Sequence, residues 1–476
     1  MISFVASLTP LLWLASGCAS GQSAQKPATD AASAALSLAE GPGVYITTSQ
    51  AVPVHRDVHA ACAVDIFFGK GMTPRDVLAD SYVGFVQSMN FYSLQYSGGS
   101  TADHDHVIVG DTRITGGRGD GYNINADDVK ARGEDIRTIL DGVGTVRFNK
   151  DFFNEYCALL RRLGIRGDVI ANVQSGTLEE LMWKIEQARA RRVIFGMEQN
   201  LASNAKVFPD GKAYRQKIEE WISAVKRRYP EVICVIDAAP VFVAKPRAVE
   251  WNRQISGMAG DEARLYMWDK DLTIWSDDWT ANQKAMDQIF STTLPGWLQT
   301  FAQQFPDKKV AVCQWGLKPK TPLYNTMGAC IYIARFYQFL LDYNKRNNNR
   351  IGYACYMSLK SLNRGDGVVL NHAAALQQCG KLFEREGQLA DLRVNGLAGI
   401  SGTAVICDQQ VMLLLVNVTG SEVQVPVVVR DGKPVTETFE VQSLFAASAL
   451  SQQVQQQNRR QERISLPPYS VNVVSY

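Results

Sequence analysis

The sequence lacks a surplus of charge of either sign. Its 49 Lys and Arg residues nearly balance its 47 Asp and Glu residues, which leaves a net charge of +2. The basic footprint of a nucleic-acid-binding protein is therefore missing. The nine cysteines and five histidines form no CxxC pair and no spacing typical of a zinc site. We expect no nucleic-acid partner, no metal and no cofactor.

The first residues of the chain are apolar. Residues 1–14 form a run that is too short to span a bilayer as a helix. The segment Leu14-Ala-Ser-Gly-Cys18 resembles a bacterial lipobox, in which the cysteine becomes the lipidated first residue. Because no Lys or Arg precedes it, an ordinary secretion signal and a chance pattern are the alternatives. We predict a lipoprotein signal peptide over residues 1–18 and lipidation at Cys18.

Residues 19–42 follow this segment and are predicted to be a flexible tether, since they are rich in Ala, Ser, Gln and Thr. The protein would then be exported and lipid-anchored at the bacterial cell surface or periplasmic face. Eight further cysteines in an exported chain permit disulfides. However, Cys234, Cys313 and Cys355 lie in apolar runs, where free cysteine behaves as a small hydrophobic residue. Buried thiols are therefore favoured over disulfides.

Short apolar runs alternate with helical patterns over most of the chain. A helical stretch over 151–163, for example, places Phe153, Tyr156, Leu159 and Leu160 on one face. Eight strands with intervening helices are typical of an α/β fold of the (β/α)8 TIM barrel type. A doubly wound open sheet is the alternative, but no glycine-rich phosphate-binding turn follows the first strand. The predicted strands are 63–68, 91–96, 167–172, 192–196, 232–236, 263–268, 309–313 and 351–356.

The pattern changes near residue 370. Strand-like runs at 411–417, 423–429 and 470–475 are separated by turns and by no long helical pattern, which predicts a C-terminal all-β sandwich domain over 370–476. The barrel is assigned to 43–369. The strand-like run at 43–48 belongs to either the barrel or the sandwich.

Glu198 follows the fourth predicted strand directly after a glycine. In a barrel of this type the chemistry lies at the C-terminal rim. A carboxylate there can act as a general acid or base if a second carboxylate faces it. Trp268 and Trp315 follow the sixth and seventh strands, where aromatic rings either stack on sugars or pack in the core.

Five segments in order resemble the motifs of clan A glycoside hydrolases, and of α-L-arabinofuranosidases in particular. The resemblance spans residues 60–476 and implies a barrel with a C-terminal sandwich. It also implies a glycan as the partner, bound near Tyr96, Gly98, Gly99 and Asn172. The segments are Leu94-Gln-Tyr-Ser-Gly-Gly99, Ile170-Ala-Asn-Val-Gln-Ser-Gly-Thr177, Gly196-Met-Glu198, Cys313-Gln-Trp-Gly316 and Leu466-Pro-Pro-Tyr-Ser-Val471.

The departures from the family pattern fall on the catalytic positions. The resemblance implies that Glu198 is the acid/base. Met197 stands where the family has the Asn that contacts the sugar 2-hydroxyl, and Gln314 stands at the nucleophile position. A retaining mechanism needs a carboxylate there, since a neutral amide cannot form the ordinary glycosyl ester. The sequence therefore argues against standard retaining hydrolysis.

Three interpretations of Gln314 remain open. It reflects natural divergence to a sugar-binding barrel, or a deliberate Glu-to-Gln exchange made to trap substrate, or a different mechanism in which Asp269 or Asp271 acts as base. The leading hypothesis is a glycan-binding barrel with impaired retaining hydrolysis. The alternatives are an active glycoside hydrolase that uses Glu198, and a structural or assembly protein whose rim is plugged by the insertion at 100–149. The predicted glycan contacts are Tyr96, Gly98, Gly99, Asn172, Met197, Glu198, Trp268, Gln314 and Trp315.

The segment Asp103-His104-Asp105-His106 is the one pattern that suggests a metal site. On an extended strand its side chains would face one side in pairs. No distant ligand can be paired with it, so the active-site rim is the favoured interpretation.

Overall fold

The computed structural model describes residues 41–63, 76–96, 152–319, 321–359, 362–363 and 368–476. The predictions for Cys18, Gly98, Gly99 and the Asp103–His106 segment lie outside these residues. Within the described part of the chain, no helix is long and apolar enough to cross a membrane.

Eight parallel strands close into a barrel, each hydrogen-bonded to the next in chain order and the last to the first, which confirms the predicted fold class. Seven strands lie where apolar runs predicted them. The first described barrel strand is Ala60–Cys62, directly before the predicted run 63–68, of which residues 64–68 lie outside the described part of the chain. Its three small residues give a weak strand signal, and pairing on both sides overrides it. The strands are β2 (Ala60–Cys62), β3 (Ser93–Tyr96), β4 (Arg166–Ala171), β5 (Arg192–Phe195), β6 (Ile233–Ile236), β7 (Glu262–Trp268), β8 (Lys309–Gly316) and β9 (Ile351–Tyr356).

Amphipathic helices alternate with these strands. In the second described helix, Phe153, Tyr156, Leu159 and Leu160 are buried together, as the spacing predicted. The helices Trp279–Gln288 and Leu294–Gln304 are joined by a π-helical turn, Ile289–Thr293, just before Pro295, which lacks an N–H to donate. The helices are α1 (Asp80–Gln87), α2 (Phe152–Leu163), α3 (Leu178–Ala188), α4 (Gly211–Arg228), α5 (Pro246–Ile255), α6 (Asp269–Leu272), α7 (Trp279–Gln288), α8 (Leu294–Gln304), α9 (Met327–Arg346) and α10 (Asn371–Gly380).

A separate nine-stranded, mostly antiparallel sheet forms the C-terminal part, in the order β15-β14-β1-β10-β11-β12-β19-β16-β17, beside a two-stranded sheet of β13 and β18. Its first strand in the chain, β1, pairs with β10 and β14. The strands are β1 (Gly43–Pro53), β10 (Gln388–Asn395), β11 (Ile400–Cys407), β12 (Gln410–Asn417), β13 (Val423–Gln424), β14 (Val428–Arg430), β15 (Lys433–Pro434), β16 (Phe439–Phe445), β17 (Gln455–Gln461), β18 (Ser465–Leu466) and β19 (Ser470–Ser475).

Strand β12 explains how the sheet is attached to the barrel. Leu413 and Leu415 belong to the hydrophobic core of the sheet, whereas Leu414 and Val416 belong to the core shared with the barrel helices. Because side chains alternate along a strand, a strand buried on both faces is a continuous apolar run. The sheet covers α9, most of whose residues are buried.

The eight described cysteines are buried and form no disulfide with one another, as their apolar surroundings predicted. The N-terminal end of the barrel interior is polar instead. Arg192, the first residue of β5, donates to both carboxylate oxygens of Glu262 at 2.9 and 3.1 Å and to Asp57 at 3.1 Å. It also lies 3.6 Å from Asp168. We call these four buried residues the barrel floor.

Candidate active site

Glu198 is presented by a tight turn at the C-terminal end of β5. Gly196 has φ of +85° and Glu198 itself has φ of +60°. A Cβ at Gly196 would lie 2.7 Å from a Val173 methyl carbon and 2.8 Å from Gln199 Cγ, so the turn requires glycine there. The Glu198 carbonyl accepts hydrogen bonds from Leu201 N–H and from the Asn204 amide, each at 3.0 Å. The side chain is half-buried.

A buried ion pair clamps this turn from below. Asp237, directly after β6, accepts the Gln199 N–H at 2.6 Å and pairs with Arg264 of β7. Arg264 also donates to the sulfur of Met197 at 3.0 Å and lies over the ring of Tyr266. The pair therefore contacts the residues on both sides of Glu198. Neither Asp237 nor Arg264 was predicted as a site residue.

Burial raises the pKa of Asp237 to about 6, and the charge of Glu198 acts in the same direction. Arg264 and the Gln199 N–H oppose this rise. Sequence reasoning could have found Asp237 by the rule that identified Glu198, since it is a carboxylate that directly follows an apolar strand.

Gln314 lies on β8, the seventh barrel strand, and is 2% exposed. Its amide Nε2 donates to the Cys62 sulfur at 3.2 Å, and Gln95 donates to the same sulfur at 3.7 Å. A carboxylate at this position could not donate, so the thiol would have to reverse its role. The amide is thus accommodated as a donor in the barrel interior, and it supplies no nucleophile.

Trp268 ends β7, and its half-buried ring is contacted by Lys318. The Lys318 ammonium lies 3.8 Å from the ring centroid. The backbone N–H of Lys318 donates to Asp269 at 3.0 Å, and Trp275 donates to the other oxygen of Asp269 at 2.9 Å. Asp269 therefore ties together the loops that follow β7 and β8. We call Glu198, Trp268, Gln314 and Lys318 the rim site.

Asp269 and Asp271 were the candidates for an alternative base. Asp269 is buried, and both of its oxygens accept hydrogen bonds. Burial raises its pKa, against the hydrogen bonds from Lys318 and Trp275. Asp271 is more exposed and lies 3.5 Å from the Lys270 ammonium. Asp269 thus has a clear structural use, and Asp271 is paired with a cation.

Three of the predicted glycan contacts are enclosed by neighbouring side chains. Trp315 is fully buried and stacks on Phe336 of α9 with 4.2 Å between ring centroids. Tyr96 packs against Phe153 and Tyr156, and the buried Met197 faces Arg264. Tyr96 and Trp315 therefore pack towards the surrounding helices, and Met197 packs against the buried ion pair. Their predicted contact with a glycan stays a prediction.

Asn172 follows β4 and is buried. Its side-chain oxygen accepts the N–H groups of Gln174 and Ser175 at 3.2 and 3.0 Å, which shapes the turn after that strand. Its amide also donates to the Ser175 hydroxyl at 3.0 Å. Asn172 therefore holds the loop at the C-terminal end of β4, and its sugar contact stays a prediction.

No family model matches the sequence, and no curated protein matches it. Solved structures do match its fold. The GH51 arabinofuranosidase from Xanthomonas axonopodis pv. citri is 13% identical with a TM-score of 0.67, over 91% of this chain and 100% of that one. An α-L-arabinofuranosidase from Thermotoga maritima, in complex with arabinose, is 12% identical with a TM-score of 0.64, over 92% and 100% of the two chains.

A Paenibacillus polymyxa xyloglucanase from glycoside hydrolase family 44 is also similar. It is 11% identical, has a TM-score of 0.56 and matches over 91% of this chain and 99% of that one. These likenesses show the fold, a barrel with a C-terminal β-sandwich as in arabinofuranosidase-like glycoside hydrolases.

Proposed function

We propose that this chain is an exported carbohydrate-binding barrel that resembles α-L-arabinofuranosidases and in which retaining hydrolysis is impaired. Gln314 carries the proposal. Its buried amide occupies the nucleophile position implied by the resemblance and donates to Cys62. Glu198 is presented on a turn fixed by Asp237. Among the described residues, the site thus keeps an acid at Glu198, while its nucleophile position holds an amide in place of the carboxylate that would attack the anomeric carbon.

The test compares three proteins on aryl arabinofuranosides and related aryl glycosides. The parent should show no burst and little turnover, whereas Gln314→Glu should gain turnover because it restores a carboxylate. Adding Glu198→Gln to that variant should remove the gain. Turnover by the parent that Glu198→Gln abolishes would show that the chain is an active hydrolase instead.

The enclosed rings of Tyr96 and Trp315 favour a second candidate function, a structural or assembly protein that kept the barrel and lost its sugar site. Neither ring is open to stack on a sugar in this structure. Calorimetric titration of the parent with arabinose, arabinan oligosaccharides and xyloglucan oligosaccharides separates the two. Binding that Glu198→Gln weakens supports a glycan site, and binding of none of them supports the structural role.

Membrane attachment is part of the proposal and rests on the lipobox-like segment that ends at Cys18. The lipid would hold the protein at the bacterial cell surface or periplasmic face. When the full chain is expressed in a bacterium fed radiolabelled palmitate, the label should enter the parent and be lost in Cys18→Ser. A labelled Cys18→Ser protein, or an unlabelled parent in the soluble fraction, would contradict anchoring.

A further inference from the structure

Lys318 occupies a fixed place at the C-terminal rim of the barrel. It follows β8 by two residues, and parallel barrel strands all end at the same rim. Its backbone N–H donates to the buried carboxylate of Asp269 at 3.0 Å, so the position of its Cα is tied to the neighbouring loop. The backbone of Lys318 is therefore a fixed part of the barrel rim.

The ammonium group is also held. It lies 3.8 Å from the centroid of the Trp268 ring, well within the range of a cation–π contact. Both side chains are half-buried. A lysine on a flexible stem ordinarily samples many rotamers, but the ring restricts this one. The result is a positive charge at a defined point of the rim.

The charge of Lys318 has no direct counter-ion among the described residues. Neighbouring cations are paired, since Lys270 lies 3.5 Å from Asp271 and Arg264 contacts Asp237. Among the residues that the structure describes, Lys318 forms no ion pair. Burial lowers its pKa, Lys270 lowers it further, and the more distant charges of Asp269, Asp271 and Glu198 oppose this. A half-buried ammonium that is held in this way can donate charge-assisted hydrogen bonds to an anion.

We propose that the rim site selects a glycan that carries an anionic group, and that the Lys318 ammonium over the Trp268 ring binds this group. The inference rests on the proposed function and names the class of its ligand. A carboxylate of a uronic acid and a sulfate ester share the required chemistry, an oxyanion that accepts charge-assisted N–H donors. A neutral pentose or hexose offers only hydroxyl oxygens, which form weaker hydrogen bonds with an ammonium group than an oxyanion does.

The test measures binding to the full chain by calorimetry, with trigalacturonate, neutral galactotriose and a sulfated galactotriose as matched probes. The parent should bind an acidic trisaccharide at least about tenfold more tightly than the neutral one, a difference of about 1.4 kcal/mol. Lys318→Gln should remove this preference, and Lys318→Arg should retain most of it. The affinity for the acidic probe should also fall as salt is raised. Whether the carboxylate or the sulfate probe binds more tightly identifies the anion.

Lys284→Gln is the matched control, because Lys284 is an exposed lysine on the outer helix α7; it should leave all three affinities unchanged. Thermal melting of each variant verifies folding. Equal affinity for acidic and neutral probes, or a preference that survives in Lys318→Gln, would overturn this inference while leaving a glycan site in place. Failure of the parent to bind any glycan, including the neutral arabinans, would overturn the proposed function as well.

Discussion

The two ends of the barrel both hold buried charge, but they neutralise it differently. At the floor, Arg192 contacts three carboxylates, and Arg191 adds a second cation 3.0 Å from Asp57. At the rim, a single buried pair supports the Glu198 turn. Above that pair, Glu198 and Lys318 are half-exposed and form no ion pair with a described residue. The floor satisfies its charges within the fold, whereas the rim leaves charge available to a ligand.

This difference separates stability from function along one barrel axis. Residues at the N-terminal face of such barrels mainly affect stability, whereas those at the C-terminal face carry the chemistry. Substitutions at the floor should therefore change the free energy of unfolding most. Substitutions at the rim should change ligand binding with smaller effects on folding.

The largest effect is expected for Arg192→Met at the floor. It leaves the buried carboxylates of Asp57, Asp168 and Glu262 without their shared cation, and breaking a buried ion pair from one side costs about 3–5 kcal/mol. We expect a loss at the upper end of this range, or no soluble protein. Urea unfolding gives the free energy of unfolding. The control is Arg228→Met, whose partner Glu186 is 57% exposed and 3.2 Å away; it should cost less than about 1 kcal/mol. A similar loss of unfolding free energy in both variants would show that the floor contributes no more to stability than an exposed ion pair does.

A somewhat smaller effect is expected for Asp237→Ala beneath the rim. The variant leaves Arg264 buried with no counter-ion and removes the acceptor of the Gln199 N–H, so we expect a loss of about 3–4 kcal/mol. Arg264→Met should cost less, about 2 kcal/mol, because the remaining carboxyl can take up a proton. Both free energies come from urea unfolding at neutral pH.

Measurements of glycan affinity test whether these two variants change the binding site in addition to lowering the stability of the fold. Because the ion pair holds the residues on both sides of Glu198, both variants should weaken glycan binding even under conditions in which they remain folded. Unchanged affinity in a folded Asp237→Ala protein would show that the turn positions itself without the pair.

The sequence was sufficient to predict the elements that apolar runs mark. Strands β3 to β9 and the acid that follows β5 were recognised because each strand is buried and ends at the rim. The side-chain direction of Trp315 could also have been derived. Side chains alternate along a strand, so Gln314 and Trp315 face opposite sides of β8. With Gln314 inside the barrel, Trp315 must face α9, where it stacks.

The ion pair beneath Glu198 could not be predicted in the same way. Arg264 interrupts an apolar strand, and a single arginine in such a run indicates neither a site nor a partner. Its partner Asp237 lies 27 residues earlier in the chain, and the two meet only because β6 and β7 are neighbours in the closed barrel. The position of Lys318 over Trp268 likewise depends on the loops after two adjacent strands. Single-sequence patterns carry no information about such contacts between strands.

The pH dependence of stability is the next smaller effect. Burial raises the pKa of Asp168 to about 6 from 3.8, while Arg192 and Ser93 oppose this rise. A raised pKa contributes stability that is fully present below pH 3.8 and is lost as pH rises through about 6. Asp168→Asn lacks this titration. The unfolding free energy of the parent minus that of the variant should therefore fall by up to about 3 kcal/mol between about pH 4 and 7. A difference that rises with pH would show that the floor holds Asp168 as a stabilised anion.

The smallest effect is expected for Met197→Leu, next to Glu198. The side chains are close in volume, and such swaps in a core usually cost less than about 1.5 kcal/mol. Leucine removes the sulfur that accepts from Arg264 at 3.0 Å, a weak acceptor, so we expect a loss of about 0.5–1 kcal/mol in urea unfolding. Glycan affinity should stay the same, because Asp237 still holds the Gln199 side of the turn. A loss of affinity without a loss of stability would instead place Met197 itself against the ligand, as the family resemblance implies. Met197 would then take part in binding directly. The binding region of the barrel would in that case include the buried layer that contains Arg264, and only the floor would be purely structural.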